Sequence, residues 1–159
     1  MTFIVDGTNG LTFPNSTTQA SAGQVIQVVN AITNAQGTST TSTYADSNLT
    51  ATITPKFSTS KILVIVDQTG LGKSTNDTRV KLKLVRNSTD LYEFEFSAGF
   101  TSSSATSRVG GASINYLDSP ATTSATTYKT QFASYSNTGY AYVQVDNCYS
   151  SITLMEIAG

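Results

Sequence analysis

The 159-residue sequence contains no histidine and a single cysteine, Cys148. Without histidine, neither a Ser-His-Asp nor a Cys-His catalytic arrangement can form, and no metal site can have a histidine ligand. Carboxylates, lysine and tyrosine are the groups left for proton transfer. One cysteine also excludes an internal disulfide framework. We therefore predict a non-enzymatic protein without a cofactor or a metal.

Charge is also scarce. Charged residues make up 12% of the chain and the net charge is −1. No run of like charges provides the electrostatic footprint of a nucleic-acid or membrane-surface protein. No apolar run approaches the roughly 18 residues of a membrane span, and the first ten residues lack the features of a secretion signal. We predict no nucleic-acid partner, no membrane insertion and no signal peptide.

Threonine and serine, with 27 and 21 residues, take the place of the missing charges. Threonine is β-branched and fits a pleated, half-exposed surface. The eight tyrosines, the seven phenylalanines and the regular apolar pattern argue against disorder. This composition predicts an all-β domain with polar loops.

Apolar residues alternate with polar ones along much of the chain, which is the period of a half-buried strand. The alternating segments are 49–53, 80–84, 92–96, 114–116, 128–132, 143–145 and 152–154. The continuous apolar run 62–66 predicts a central strand covered on both faces. Residues 24–33 fit a strand or a helix, and their β-branched side chains favour the strand. Residues 38–47 are predicted to be a loop.

About eight strands at this spacing predict an antiparallel β-sandwich or jelly roll over residues 24–159. Its aromatic residues would be available for contacts between copies around a three-fold axis. They are Tyr92, Phe94, Phe96, Tyr128 and Phe132.

Residues 1–23 predict a short β-ribbon ahead of this domain. Two apolar runs flank Asp6-Gly7 and Asn9-Gly10, which supply the positive φ angles of tight turns. Such a ribbon is not stable alone in water, so it must dock on the domain, a sister chain or another protein. We predict an attachment segment whose contact residues are Phe3, Val5, Leu11 and Phe13.

The segment TGLGKST, residues 69–75, resembles a phosphate-binding loop because it follows an apolar strand. That loop requires a glycine five residues before the Gly-Lys pair, where this chain has Asp67. It also requires a helix directly after it, whereas residues 80–84 have the alternation of a strand. We therefore predict a glycine-rich loop between strands and no nucleotide site.

Three further groups of residues have side chains that could take part in catalysis or bind a metal. Glu93 and Glu95 share a strand face about 7 Å apart, which suits paired carboxylates in sugar hydrolysis. A charge ladder with Lys81 and Lys83 explains the same pattern better. Four aspartates without the spacing of a calcium loop make a calcium site less favoured; they are Asp67, Asp77, Asp118 and Asp146. Cys148 has no base to activate it and is predicted to be a packed thiol.

Tyrosines surround the 134–139 turn, and tyrosine provides a large contact area at low entropic cost. They either contact a sugar or a protein, or pack inward by alternation. The polar loop 101–111 carries Arg108 and suits either a contact loop or a spacer. The candidate residues for host-surface contact are Arg108, Tyr135, Asn137 and Tyr140.

Three segments carry a resemblance to a known family: GLTFPNSTTQ at 10–19, INYLDSPATTSATTY at 114–128 and SITLMEI at 151–157. They resemble segments of small fibre-type virion proteins of tailed bacteriophages, particularly those infecting cyanobacteria and marine bacteria. The first segment has Asn15-Ser16 where that family usually has Asp-Gly.

The resemblance implies a tumour-necrosis-factor-like jelly roll, assembled as a homotrimer and mounted on the virion, with no catalytic residues. On this view the chain is a tail fibre or fibre tip that contacts the host surface, and residues 1–23 bind other virion proteins of the tail, baseplate or capsid. The alternatives are a capsid decoration protein or head fibre, a carbohydrate-binding module, and a glycan depolymerase that uses Glu93 and Glu95.

Overall fold

A computed structural model describes residues 23–102 and 108–159 in full, together with the backbone of three short strands before them. These are β1 (Ile4–Asp6), β2 (Gly10–Thr12) and β3 (Thr18–Gln19), which form an antiparallel sheet in the order β1-β2-β3. The ribbon is thus confirmed, with one strand more than the turn pattern predicted.

Ten strands form the body of the protein, and all of their pairings are antiparallel. They are β4 (Val25–Thr33), β5 (Gly37–Ser39), β6 (Ala45–Ile53), β7 (Lys61–Lys73), β8 (Val80–Arg86), β9 (Thr89–Ala98), β10 (Gly110–Asp118), β11 (Thr126–Ser134), β12 (Ala141–Val143) and β13 (Ser150–Ile157). The strand prediction for residues 24–33 is confirmed. The predicted loop at 38–47 is wrong at both ends, because β5 and β6 occupy part of it.

The strands divide into two sheets. The first sheet has the order β4-β13-β7, with β10 on the opposite edge of β7 from β13, and with β12 and β5 continuing from the end of β7. The second sheet has the order β6-β11-β8-β9. Apart from the β8–β9 hairpin, the chain crosses between the sheets at each step through the eight long strands, which is the connectivity of a jelly roll. The predicted fold class is confirmed.

The core between the sheets consists of two apolar clusters separated by a polar layer. Leu154 and Tyr128 belong to the larger cluster, and Phe132 belongs to the smaller one. Between them, Gln68 is fully buried; its Oε1 accepts from the Thr130 hydroxyl at 2.7 Å and its Nε2 donates to Ser150 Oγ at 3.1 Å. These polar residues occupy inward positions on their strands, so alternation alone does not distinguish them from apolar core residues.

Glu156 on β13 links β4 to the segment that follows β6. Its side chain is fully buried, and it accepts hydrogen bonds from Gln27 Nε2 at 2.5 Å and from the backbone N–H of Lys56 at 2.7 Å. Burial alone would raise the pKa of this carboxyl. The donated hydrogen bonds outweigh burial and hold the pKa below its usual value.

A depressed carboxylate pKa in the folded state makes stability depend on pH. The contribution of Glu156 is present above its unfolded pKa of about 4.3 and is lost as the pH falls through the folded pKa. We expect Glu156→Gln to lower the free energy of unfolding at pH 7 by on the order of 1–2 kcal/mol. The difference from wild type should shrink below about pH 4, as measured by urea unfolding across pH. A constant difference from pH 7 to pH 3 would contradict this assignment.

Candidate functional site

The outer face of the first sheet carries a row of apolar residues. Met155 on β13 is the register partner of Val28 on β4 and of Leu63 on β7, and Leu63 is in turn the partner of Leu117 on β10. These four residues form a row across four strands. Val28 is 55% exposed and Leu117 is 53% exposed. We call the surface of this row, with Ile32, Ile65 and Ile157, the apolar face.

The 62–66 strand is predicted to be covered on both faces. Among the described residues only its inner face is covered. Ile62, Val64 and Val66 are buried in the core, whereas Leu63 and Ile65 lie half-buried on the apolar face. No described residue covers this face. An apolar surface across four strands is larger than the scattered apolar residues normal for a protein surface, and it indicates an interaction site.

A second apolar surface lies where the two sheets meet at β9 and β10. The Tyr92 ring stacks on the Tyr116 ring at a centroid distance of 6.4 Å, and Tyr92 is 56% exposed. We call this pair the aromatic edge. The prediction that aromatic residues make contacts between copies is wrong for Tyr128 and Phe132, because both are fully buried in the core.

Two of the four candidate host-contact residues, Tyr135 and Tyr140, are exposed tyrosines that pack against other side chains. Tyr135 packs against Arg79, with the guanidinium carbon 3.4 Å from the ring centroid. Tyr140 stacks on Tyr142 at 5.8 Å, and Tyr142 lines a cleft of about 450 Å³ whose rim also includes Arg108. Tyr135 and Tyr140 are exposed, so the alternative that they pack inward is wrong for these two.

Arg108 and Asn137 already have partners within the chain. Arg108 donates through Nε and Nη2 to the carboxylate of Asp146, which raises the pKa of the arginine and lowers that of the aspartate. Asn137 accepts a hydrogen bond from the Ser42 backbone N–H at 2.8 Å through its amide oxygen. Both residues therefore have a structural role besides any external contact.

The attachment segment is described only through its backbone. Val5 and Leu11 are register partners in the β1–β2 pairing. Phe3 and Phe13 lie outside the described residues. Sequence reasoning did not single out Arg79 or Phe100 and assigned Phe96 only to contacts between copies, because the segments that bring the three together are distant in sequence.

The TGLGKST segment is not a loop. β7 continues to Lys73, and the chain then turns into β8 without a helix. Gly70 has a φ of 60°, and a Cβ at this position would lie 2.8 Å from the Val145 nitrogen, so the glycine allows the chain to cross closely. The Lys73 ammonium is buried and donates to the Thr78 carbonyl oxygen at 3.3 Å and to the Thr101 hydroxyl. Burial lowers the pKa of Lys73.

The proposed charge ladder is met in register at one position, because Glu93 lies opposite Lys83, but the two side chains do not form an ion pair with each other. Lys83 pairs with Asp90 at 2.7 Å, whereas Glu93 accepts a hydrogen bond from the Tyr44 hydroxyl at 2.7 Å. Glu95 accepts from the Ser97 backbone N–H at 2.7 Å. A register shift between Leu82 and Lys83 places Glu95 opposite Leu82 rather than opposite Lys81.

The remaining polar candidates are separate from one another. Asp118 binds Arg86, and Asp146 binds Arg108. Among the described residues no three Cys, Asp or Glu side chains are grouped so that they could hold a metal ion. Cys148 is a half-buried free thiol. Within the same residues, no helix is long and apolar enough to cross a membrane.

Comparisons with known proteins support the fold. No protein-family model matches the chain, and no curated protein matches its sequence. Among solved structures, it is similar to VP2 of infectious bursal disease virus, seen in the crystal structure of a subviral particle, with a TM-score of 0.56 and 11% identity over 89% of this chain. The chain spans 35% of that VP2 chain. At this identity the likeness establishes a shared β-sandwich fold and nothing further.

Proposed function

We propose that the protein is a non-enzymatic virion structural protein of a tailed bacteriophage. It assembles as a homotrimer, forms a tail fibre or its tip, and contacts the host cell surface. The observation that carries the proposal is the apolar face, which the described part of the chain leaves uncovered. The jelly-roll fold shared with a viral particle protein supports it.

The dimensions of the apolar face favour a ring over a two-fold pair. Four strands about 4.8 Å apart and the six-residue rise from Lys61 to Asp67 bound an area of roughly 400 Å². This is an upper bound for the apolar part, because Asn30, Thr153 and Asn115 lie within it. A stable interface buries about 800 Å² on each partner. Pairing the face with itself would therefore provide only about half the usual area.

The aromatic edge supplies the second surface that a ring requires. When two different surfaces of a subunit meet, the interface is heterologous, and it closes into a ring if the rotation permits. We propose that the apolar face of each subunit packs on the aromatic edge of the next around a three-fold axis. Static light scattering of the purified chain tests this; a monomer at micromolar concentration would contradict it.

The N-terminal segment is proposed to attach the trimer to the particle. None of the described strands β1 to β3 pairs with a strand of the sandwich. Gly23, where the sandwich begins, donates its N–H to the Ala158 carbonyl oxygen at 2.8 Å. This hydrogen bond joins the first and the last segments of the sandwich, and no residue of the ribbon takes part in it.

Deleting residues 1–22 is expected to leave the sandwich folded and trimeric, because the core residues of the described sandwich all lie after Gly23. The truncated chain should fail to enter the virion. The tests are light scattering for the trimer and immunoblotting of purified particles for incorporation. A truncated chain that no longer folds would contradict the proposed division between attachment and sandwich.

A capsid decoration protein or head fibre is the second candidate. The likeness to a protein that forms a subviral particle favours it. Both candidates keep the trimer and the attachment segment, so they differ only in the partner that residues 1–22 bind. Antibody labelling of particles distinguishes the head from the tail.

A further inference from the structure

Arg79 differs from the other two arginines of the chain in having no carboxylate partner. Arg86 is paired with Asp118 and Arg108 with Asp146, whereas Arg79 forms no ion pair within the part of the chain that the structure describes. Its Nη1 donates to Ser97 Oγ at 3.2 Å, and its Nε is buried without a hydrogen-bond partner.

Three aromatic rings surround this guanidinium. Its carbon lies 3.4 Å from the centroid of Tyr135, 5.0 Å from that of Phe96 and 5.2 Å from that of Phe100. Phe96 and Tyr135 also meet edge to face at 5.7 Å. We call these four residues the Arg79 cluster.

Backbone hydrogen bonds hold the cluster in place. The Tyr135 N–H donates to the Arg79 carbonyl oxygen at 3.0 Å, which fixes the 134–136 turn against the start of β8. The Phe100 N–H donates to the Ser97 carbonyl oxygen at 3.1 Å, which closes the turn after β9. The rings are thus positioned before any ligand binds, and preorganisation reduces the entropy lost on binding.

The cluster is open to solvent on its ring side. Phe96 is 49% exposed, Phe100 is 48% exposed and Tyr135 is 42% exposed. An exposed aromatic surface packs well against the apolar face of a ring-shaped ligand. The rings displace water from the Arg79 guanidinium at the centre of the cluster, and no described carboxylate neutralises its charge. A guanidinium in this environment favours a planar anion that accepts two hydrogen bonds.

We propose that the Arg79 cluster binds an acidic sugar residue of a cell-surface polysaccharide. The sugar carboxylate accepts hydrogen bonds from Arg79, and the sugar ring packs on Phe96 and Phe100. This inference rests on the proposed contact with the host surface and names the chemistry recognised there.

The size of the patch favours a sugar over a protein partner. Three half-exposed rings offer on the order of 300 Å², whereas a stable protein interface needs about 800 Å² on each side. A single sugar residue with its neighbours fits the smaller area. The other arginines cannot take this role without breaking an existing ion pair.

The test is a titration of the full chain with sodium glucuronate, followed through the aromatic NMR signals, with glucose at the same concentrations and sodium chloride at equal ionic strength. Glucuronate is expected to shift the signals of Phe96, Phe100 and Tyr135, with glucose binding at least about tenfold more weakly. Arg79→Gln should weaken glucuronate binding about tenfold or more. Arg79→Lys should retain part of the affinity, because it keeps the charge and loses the planar fork.

Lys56→Gln is the matched control, since it removes an exposed basic side chain outside the cluster, and it should bind glucuronate as wild type does. Equal binding of glucose and glucuronate, or of acetate and glucuronate, would overturn the proposal, because the site would then recognise only a ring or only a charge. The absence of any shift would also overturn it, and an acidic protein partner would be tested next. Light scattering of the same samples reports the trimer separately, so a failure here is distinguishable from a failure of the proposed assembly.

Discussion

Val28→Asp is expected to convert the trimer into monomers that remain folded. Val28 lies on the edge strand β4, at one end of the apolar row, and is 55% exposed in the single subunit, so the fold does not depend on it. In the proposed assembly, the aspartate would place an unpaired charge in a buried contact, which costs several kcal/mol. Light scattering and circular dichroism measure the two parts of this expectation.

Thr50→Asp is the control, because Thr50 is exposed on a strand of the second sheet. It should remain trimeric. A Val28→Asp chain with the mass of the wild type would contradict the proposed role of the apolar face.

A mixing experiment tests whether the interface is heterologous. Tyr92→Asp should also give monomers, because it places a charge on the aromatic edge. An equimolar mixture of the two variants should form heterodimers at high concentration that neither variant forms alone, since the Tyr92→Asp chain retains its apolar face and the Val28→Asp chain retains its aromatic edge. The single contact makes this pair weaker than the closed ring. A mixture that stays monomeric would contradict a heterologous interface, and dimers of either variant alone would indicate that a surface pairs with itself.

Asp118→Ala is expected to give the largest loss of stability among charge removals. Asp118 is 6% exposed, accepts from Arg86 Nη1 at 2.8 Å and 2.9 Å, and accepts from the Tyr128 hydroxyl at 2.6 Å. Its removal leaves an arginine and a fully buried hydroxyl without their acceptor. The free energy of unfolding should fall by about 3 kcal/mol.

Asp90→Ala is the matched control. Asp90, like Asp118, pairs with a basic residue of β8, but its side chain is 64% exposed. An exposed ion pair contributes less than about 1 kcal/mol. Urea unfolding of both variants at one protein concentration measures the difference. Equal losses would show that the Asp118 network contributes no more than a surface pair.

The fold could be predicted because the strand period is clear in most of the chain. Leu49 to Ile53 and Ile152 to Leu154 alternate without a break, and their apolar residues are the core of the sandwich. The three-residue strand β5 was missed, and β12 was predicted two residues late at 143–145, because so few residues carry no readable period. Residues 38–47 were predicted as a loop from their Ser and Thr content, which also suits an exposed strand.

The surface features could be predicted less well, because they depend on register. Phe94 packs on the core while Tyr92 and Phe96 are exposed, although the three alternate with glutamates in one strand. The register shifts between β8 and β9 cause this reversal. The Arg79 cluster likewise needs the pairing of a loop near residue 135 with the start of β8, which no local pattern specifies.

Electron cryo-microscopy of purified virions is the most direct test of the proposed function. The proposal predicts three-fold density at the tail, with each subunit a two-sheet sandwich whose apolar face lies against the aromatic edge of its neighbour. Particles that lack this density, or that carry the protein as isolated monomers, would contradict it.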